Sequence, residues 1–317
     1  MRNISNPDPF YPTTRKTMAT DEYRLTRTKV EALDNILGHA VPLLDHGFVR
    51  VIDYMGDDAA ILQAARVSYG NGTKSVSQDE GLIRYLMRHW HSTPFEMCEI
   101  KLHVKLPVFV ARQWIRHRTA NVNELSARYS ILDNEFYIPA EEDLAAQSQI
   151  NNQGRGTVLA GEEAQLVLDM LRSDAARSYA TYEELMREDQ EAGKLGLARE
   201  LARMNLPTNI YTQWYWKTDL HNLFHFLRLR ADSHAQFEIR TYADTICDIV
   251  RTWVPFAYRA FEDYRLHAAT FSRMEIEALK VYFSSWKPDR ESDGWPEPEG
   301  MSERETMEFF RKIGLMP

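Results

Sequence analysis

Between Glu99 and Pro107 the chain alternates without exception: Ile100, Leu102, Val104 and Leu106 are apolar, while Glu99, Lys101, His103 and Lys105 are polar. A period of two sends successive side chains to opposite faces, so this segment is a strand with one buried and one wet face. Pro107 lacks an amide hydrogen and ends the ladder. It also suits the first position of a helix, here VFVARQWIR. A half-buried strand that turns directly into a helix needs a sheet on its flanks and helices over its apolar side.

Phe48 to Tyr54 is β-favouring, and Asp57 and Asp58 open a helix through Ile61, Leu62, Ala65 and Arg66. Tyr69 to Ser75 forms a glycine-rich loop. Ser77 and Glu80 have capping-box spacing ahead of an apolar face made by Leu82, Ile83, Leu86, Met87 and Trp90. Ala140 to Gly161 is polar, as a surface loop or a boundary would be. Helical periodicity predicts Glu162 to about Glu191, Leu197 to Met204, Asp219 to Arg230 capped by Thr218, and Gln236 to about Val254. Pro255 interrupts before FAYRAFEDYRL. The stretch after Lys287 is disorder-like, and an amphipathic helix follows around Met307 to Ile313. Strands few and early with helices many and late define a mixed α+β class. The expected organisation is a polar N-terminal arm over 1–45, one catalytic domain over 46–270 and a C-terminal extension over 271–317.

Composition narrows the setting. The chain of 317 residues carries a net charge of −8, which argues against a nucleic-acid track or an acidic membrane as partner. Two cysteines, Cys98 and Cys247, have no metal or redox spacing and are expected to pack. Neither a signal peptide nor a membrane-length apolar run is visible, so a cytoplasmic protein is expected.

Against that acidic background, residues 111–130 hold four arginines and one glutamate. The segment Arg116-His117-Arg118-Thr-Ala-Asn-Val-Asn-Glu124-Leu-Ser126-Ala-Arg128-Tyr129 concentrates donors at a helix end. Cations are favoured there by the dipole, which is one explanation for Arg116 to Arg118. The other is an anion site, because guanidinium forks match phosphate oxygens two at a time. A second cluster runs from Asp219 to His234. His221 and His225 share a helix face at metal-ligand spacing, with Asp219 as a third candidate, yet no HExxH-type base accompanies them. No metal is expected; the plain reading is a polar helix edge, and a third is hydrogen bonding to the ribose, phosphate or ring of a bound cofactor. Arg230 sits among Leu227, Leu229 and Ala231, so a partner is required; Asp232 is the simplest. Ser126 has no glycine elbow or triad around it and is better placed as a hydroxyl donor than as a nucleophile.

RHRTANVNELSARY resembles the Arg-His-Arg, seven residues, Ser signature of flavin-dependent thymidylate synthases. HSTPFE at His91 to Glu96, HVKLPVFVARQWIRHR at His103 to Arg118, EFYIP at Glu135 to Pro139 and LRADSHAQ at Leu229 to Gln236 resemble that family in its order. The similarity covers roughly Phe48 to His267. It implies an α+β subunit with an antiparallel sheet and a large helical part, like thymidylate synthase-complementing proteins. It also implies a homotetramer whose active sites lie between subunits. The implied reaction converts dUMP to dTMP, with 5,10-methylenetetrahydrofolate as one-carbon donor and NADPH as reductant through bound FAD.

By position, the resemblance assigns Thr93, Arg116, His117, Arg118, Glu124, Asp219, Leu220, His221 and His225 to FAD. It assigns Gln113, Trp114, Ile115, Arg116, Glu124, Leu125, Ser126, Ala127, Arg128, Arg203 and Arg230 to dUMP, with Arg230 the catalytic group against the uracil. Where other members can carry Asn-Ala-Arg and a later Asn, this chain has Asp219-Leu220-His221 and His225, which makes the local charge pH-dependent.

Overall fold

The computed structural model describes residues 27–67, 80–149, 154–284 and 300–313. The expected loop at Tyr69 to Ser75, the cap at Ser77, the stretch 288–299 and residues 1–26 of the expected arm lie outside these. In chain order the elements are α1 (Glu31–Asp34), β1 (Ala40–Leu43), β2 (Gly47–Met55), α2 (Asp58–Val67), α3 (Glu80–Arg88), α4 (Thr93–Glu96), β3 (Glu99–Pro107), α5 (Val108–Trp114) and β4 (Asn121–Glu124). They continue with β5 (Ala145–Gln147), β6 (Arg155–Val158), α6 (Gly161–Met186), α7 (Arg199–Ala202), β7 (Tyr211–Asp219), α8 (Leu220–Arg230), α9 (Phe237–Trp253), α10 (Pro255–Phe261), α11 (Arg273–Ser284) and α12 (Glu303–Lys312). The chain divides into two compact units, Met1–Ala260 and Phe261–Pro317.

The first unit is built on a five-stranded antiparallel sheet in the order β1-β2-β3-β7-β4. The strand with the strict alternation, β3, is central, and its burial alternates from Glu99 to Leu106 as the pattern requires. Pro107 then caps α5 with extended backbone. Trp114 of α5 meets Trp214 and Trp216 of β7, Phe226 of α8 and Tyr242 of α9, with ring centroids 5.9, 5.4, 4.7 and 6.0 Å away. Large rings carry most of the apolar area a core removes from water, worth roughly 25 cal/mol per Å². This cluster therefore fixes α5, α8 and α9 on the apolar face. Tyr242 also donates its hydroxyl to the Lys105 carbonyl at 2.7 Å. That close approach requires glycine at Gly47, where a Cβ would stand 2.1 Å from the Tyr242 hydroxyl oxygen.

A second apolar cluster joins α6 to the chain after β4, with Ala127, Leu132, Phe136, Ala175, Tyr179, Tyr182, Ala202 and Ile210 buried together. Tyr179 donates to the Leu132 carbonyl at 2.8 Å and thereby holds that segment on the helix.

Several sequence expectations change. The segment expected as a polar arm contributes α1 and β1, because Leu33 is fully buried and β1 pairs along β2. Asp45 accepts from the Tyr211 hydroxyl and the Ile138 amide, tying this segment to the core. The polar stretch from Ala140 to Gly161 contains the antiparallel pair β5–β6. Arg155 of β6 pairs with the buried carboxylate of Glu238, which also accepts from Tyr137 and Gln236. Strands are not confined to the early chain either, since β7 is the main partner of β3. Helix α6 ends at Met186, and the helix expected over Leu197 to Met204 is the short α7 followed by a 3-10 turn, Arg203–Asn205. The N-cap of α8 is Asp219, one residue beyond Thr218.

In the second unit, α12 starts at Glu303, earlier than the expected Met307, because Ser302 and Glu305 form a capping box. The Tyr264 hydroxyl donates to Glu305.

Candidate functional site

The site begins where α5 runs out. The Arg116 and His117 amides donate to the Gln113 and Trp114 carbonyls at 3.4 and 2.9 Å, which turns the chain toward β4. Strand β4 pairs with Lys217 to Trp214 of β7, and β7 feeds directly into α8. Arg116 to Arg118 is therefore held beside α8 by sheet pairing rather than by local sequence. Arg230, the last residue of α8, donates from Nη2 to the Gln113 carbonyl at 3.3 Å.

His117 lies between these elements. Its ring centroid is 5.6 Å from that of His225, 5.5 Å from Phe226 and 6.3 Å from Trp216. The Thr119 hydroxyl is 3.0 Å from His117 Nε2. Burial, then the neighbouring His225 and Arg230, pushes the His117 imidazole down to about 4, so it is neutral at physiological pH. Burial also lowers Arg230 from the ordinary arginine value, although a guanidinium remains charged under any physiological condition.

Two polar atoms in this cluster, Gln113 Oε1 and Arg230 Nε, are buried without a hydrogen-bond partner. A buried donor or acceptor left unpaired costs on the order of 1–3 kcal/mol. Their convergence on one end of α5 is what a polar ligand edge repays. The acceptor and the cationic donor suit an anionic heterocycle with neighbouring N–H and C=O groups, so the residues present fit such a group.

A second set lies further along. Ser126 Oγ accepts from the Arg128 amide at 3.3 Å. The Arg128 guanidinium gives Nε and Nη2 to Glu200 Oε2, each at 3.0 Å. Arg203 Nε donates to the Glu200 carbonyl at 3.4 Å, and Arg199 donates to the Tyr129 carbonyl at 2.7 Å. Arg128 and Arg203 are thereby gathered around Glu200, with Ser126 in the same turn. Nothing local to Glu200 marks it in the sequence, because its role depends on α7 docking against the chain after β4.

Thr93 opens α4, which packs on α8 through Phe95 and Phe224, centroids 6.3 Å apart. Glu124 accepts from the Thr212 hydroxyl at 2.7 Å. Arg116, Arg118 and Ile115 are exposed at the end of α5, while Leu220 and Ala127 are buried. Leu125 is partly buried against the α6 cluster. The Asp219 carboxylate accepts from the Asn222 amide and Nδ2 at 2.9 and 2.6 Å, so the helix cap engages it. His221 and His225 lie on α8. Among the described residues no three His, Cys, Asp or Glu side chains gather as a metal would require. The ion pair expected between Arg230 and Asp232 does not form: Asp232 accepts from the His234 amide and ring at 2.8 and 2.9 Å.

The cysteines stand apart from this chemistry. Burial pushes the Cys98 thiol up to about 12 and the Cys247 thiol up to about 11. Neither forms an appreciable thiolate near neutrality, so neither is an activated nucleophile.

This fold and site define an α+β protein that collects arginine side chains from distant segments at the end of α5 and around Glu200. The model of one family, described as thymidylate synthase complementing protein, matches residues 50–256. The chain is 67% identical over 282 residues to a protein of Ruegeria pomeroyi named flavin-dependent thymidylate synthase, covering 89% of this chain and 90% of the relative. A protein of the same name from Rickettsia bellii is 58% identical over 291 residues, covering 90% and 97%. Among solved structures, a UMP/dUMP methylase, PolB from Streptomyces cacaoi bound with 5-Br UMP, superposes with a TM-score of 0.62 at 30% identity, covering 71% of this chain and 98% of that one. The chain belongs to the thymidylate synthase complementing family.

Proposed function

We propose that this protein is a flavin-dependent thymidylate synthase. It converts dUMP to dTMP with FAD as its flavin, 5,10-methylenetetrahydrofolate as one-carbon donor and NADPH as reductant. The observation that carries the reading is the convergence of Arg230 and Gln113, each with an unpaired buried polar atom, on the end of the Arg116–Arg118 segment. The names of the similar enzymes support the same choice of substrate, as does the Streptomyces cacaoi methylase, which is also known bound with 5-Br dUMP.

In this reading Gln113, Trp114, Ile115, Arg116, Glu124, Leu125, Ser126, Ala127, Arg128, Arg203 and Arg230 surround dUMP. Ser126, Arg128 and Arg203 hold the phosphate, the guanidinium forks supplying paired donors and the hydroxyl a third. Arg230 faces the pyrimidine and stabilises negative charge developing on the ring, an effect strengthened where water is excluded. Neutral His117 takes part as a polar group without adding charge. Thr93, Arg116, His117, Arg118, Glu124, Asp219, Leu220, His221 and His225 form the FAD stretches. A bound flavin supplies the reducing equivalents of the reaction, which removes the need for a protein thiol bonded to the base. The high thiol pKa values of Cys98 and Cys247 are consistent with that route.

The reading includes a homotetramer with active sites shared between subunits, working in the cytoplasm, with no nucleic-acid or membrane partner. Among the described residues, no helix is long and apolar enough to cross a membrane. The test is direct. Purified protein is examined for flavin absorbance and then incubated with dUMP, NADPH, FAD and methylenetetrahydrofolate, with UMP in a parallel arm. Formation of dTMP from dUMP is expected. A protein that binds no flavin and forms no dTMP would refute the proposal.

A further inference from the structure

Helix α7 sets two neighbouring charged residues, Arg199 and Glu200, against one turn of the chain after β4. That turn is closed by the Tyr129 and Ser130 amides, which both donate to the Ser126 carbonyl at 3.0 Å. Arg199 Nη1 donates to the Tyr129 carbonyl at 2.7 Å, and Glu200 Oε2 accepts from Nε and Nη2 of Arg128 at 3.0 Å each. The turn is thus held at adjacent residues, once by its main chain and once by a guanidinium. Glu200 also restrains Arg203, whose Nε donates to the Glu200 carbonyl at 3.4 Å. Side chain and main chain of one residue therefore hold two different arginines.

An exposed ion pair adds little to stability, because water screens it and two long side chains lose freedom. The side chains of Arg128 and Glu200 are 56% and 49% exposed, so the fold gains little from this one. Direction is what the pair supplies. Two donors of a planar fork on one oxygen fix the plane of the Arg128 guanidinium. Among the described residues Glu200 is its only acceptor, which leaves the Nη1 side for a ligand. Ser126 Oγ lies in the same turn, bonded to the Arg128 amide at 3.3 Å. The charges also match: three guanidinium groups against one carboxylate leave two positive charges, and a phosphate monoester carries about −1.5 to −2 near neutrality.

We propose that Glu200 is a positioning residue for the nucleotide phosphate, setting the plane of Arg128 before the ligand arrives. The inference rests on the proposed function, which gives Ser126, Arg128 and Arg203 to that phosphate. It extends the reading to a residue that acts through Arg128 without touching the ligand. A side chain ordered beforehand loses less freedom on binding, so affinity rises. A carboxylate that merely occupied Arg128 until phosphate displaced it would have the opposite effect.

Glu200→Ala removes the carboxylate and keeps the carbonyl that Arg203 uses, while Glu200→Gln keeps an oxygen able to accept from Arg128. Flavin-loaded wild-type and variant proteins are titrated calorimetrically with dUMP and with deoxyuridine, which lacks the phosphate. KM and kcat for dUMP are measured on the same preparations. Glu200→Ala should weaken dUMP binding about twofold to fivefold, the range an exposed charged contact supplies. KM should rise with kcat little changed, as when a ground-state contact is lost. Deoxyuridine affinity should stay the same, and Glu200→Gln should recover part of the loss. In an Arg128→Ala background, Glu200→Ala should have no further effect, because both act through one contact. The ratio of dUMP to deoxyuridine affinity is read within each preparation, so altered stability alone does not move it. Tighter or unchanged dUMP binding in Glu200→Ala, an equal loss for deoxyuridine, or an undiminished effect without Arg128 would each overturn the role. A wild-type protein that binds dUMP and forms no dTMP refutes the proposed function and leaves the Glu200 comparison intact.

Discussion

Arg230 and Gln113 lie 117 residues apart, yet the guanidinium of one donates to the main-chain oxygen of the other at 3.3 Å. The bond uses Nη2 and leaves Nε buried and unpaired, as Gln113 Oε1 is. Main-chain anchoring thus orients the arginine while keeping part of its fork for something else. A side-chain ion pair with Asp232 would have neutralised it.

Arg230→Ala should retain bound flavin and lose most turnover. Removing one such electrostatic contact typically costs on the order of 10²–10³ in rate. Flavin absorbance and kcat measured on the same preparation test this, and a near-normal kcat would contradict the role.

Stability should depend on pH through His117. Its folded pKa is depressed from 6.5 to about 4. Between those values the unfolded chain takes up a proton that the folded chain does not, so stability is fullest above 6.5 and declines as pH falls toward 4. His117→Gln should flatten that decline in Tm. An equally steep profile in the variant would assign it to other groups.

Asp219 serves α8 as its N-cap through the Asn222 amide. Asp219→Ala should cost about 0.5–2 kcal/mol in urea unfolding, and Asp219→Asn much less. Equal losses in both variants would show that charge, rather than the cap, is what matters there.

The doubly substituted Cys98→Ala, Cys247→Ala protein should still form dTMP, and intact-mass measurement of the unsubstituted protein during turnover should reveal no adduct on Cys98 or Cys247. An adduct, or abolished activity in a folded variant, would restore a thiol mechanism. Ser126→Ala should raise KM for dUMP while turnover stays measurable. Complete inactivity with intact dUMP affinity would point instead to a nucleophile.

Local chemistry makes much of this legible. The alternation in β3, the stop at Pro107 and the arginine-rich segment are written in neighbouring residues. Strand β7 carries a comparable signal beyond Tyr211, since Thr212, Trp214, Trp216 and Thr218 are buried in alternation with the less buried Gln213, Tyr215, Lys217 and Asp219. Half of its inward residues are threonines, however, so the period of two is less plain in residue type than in burial. Trp90 illustrates the opposite difficulty. Its helical spacing matches the apolar face, but the chain leaves the helix at that residue and turns left-handed. Periodicity describes a side chain's direction only while the backbone stays regular.

By itself, the sequence determined the mixed class, the central strand, the positive segment and the motifs that tie it to a family. Those features depend on residue type and short spacing, which are local. Tertiary structure alone decided that Arg230 answers Gln113 rather than Asp232, and that Arg128 meets Glu200 beside Arg203. The first of those outcomes depends on which strand pairs with β3 and on how the Trp114 cluster seats α5 against α8. Such contacts join residues far apart in the chain, and burial against a shared core sets them rather than any local preference.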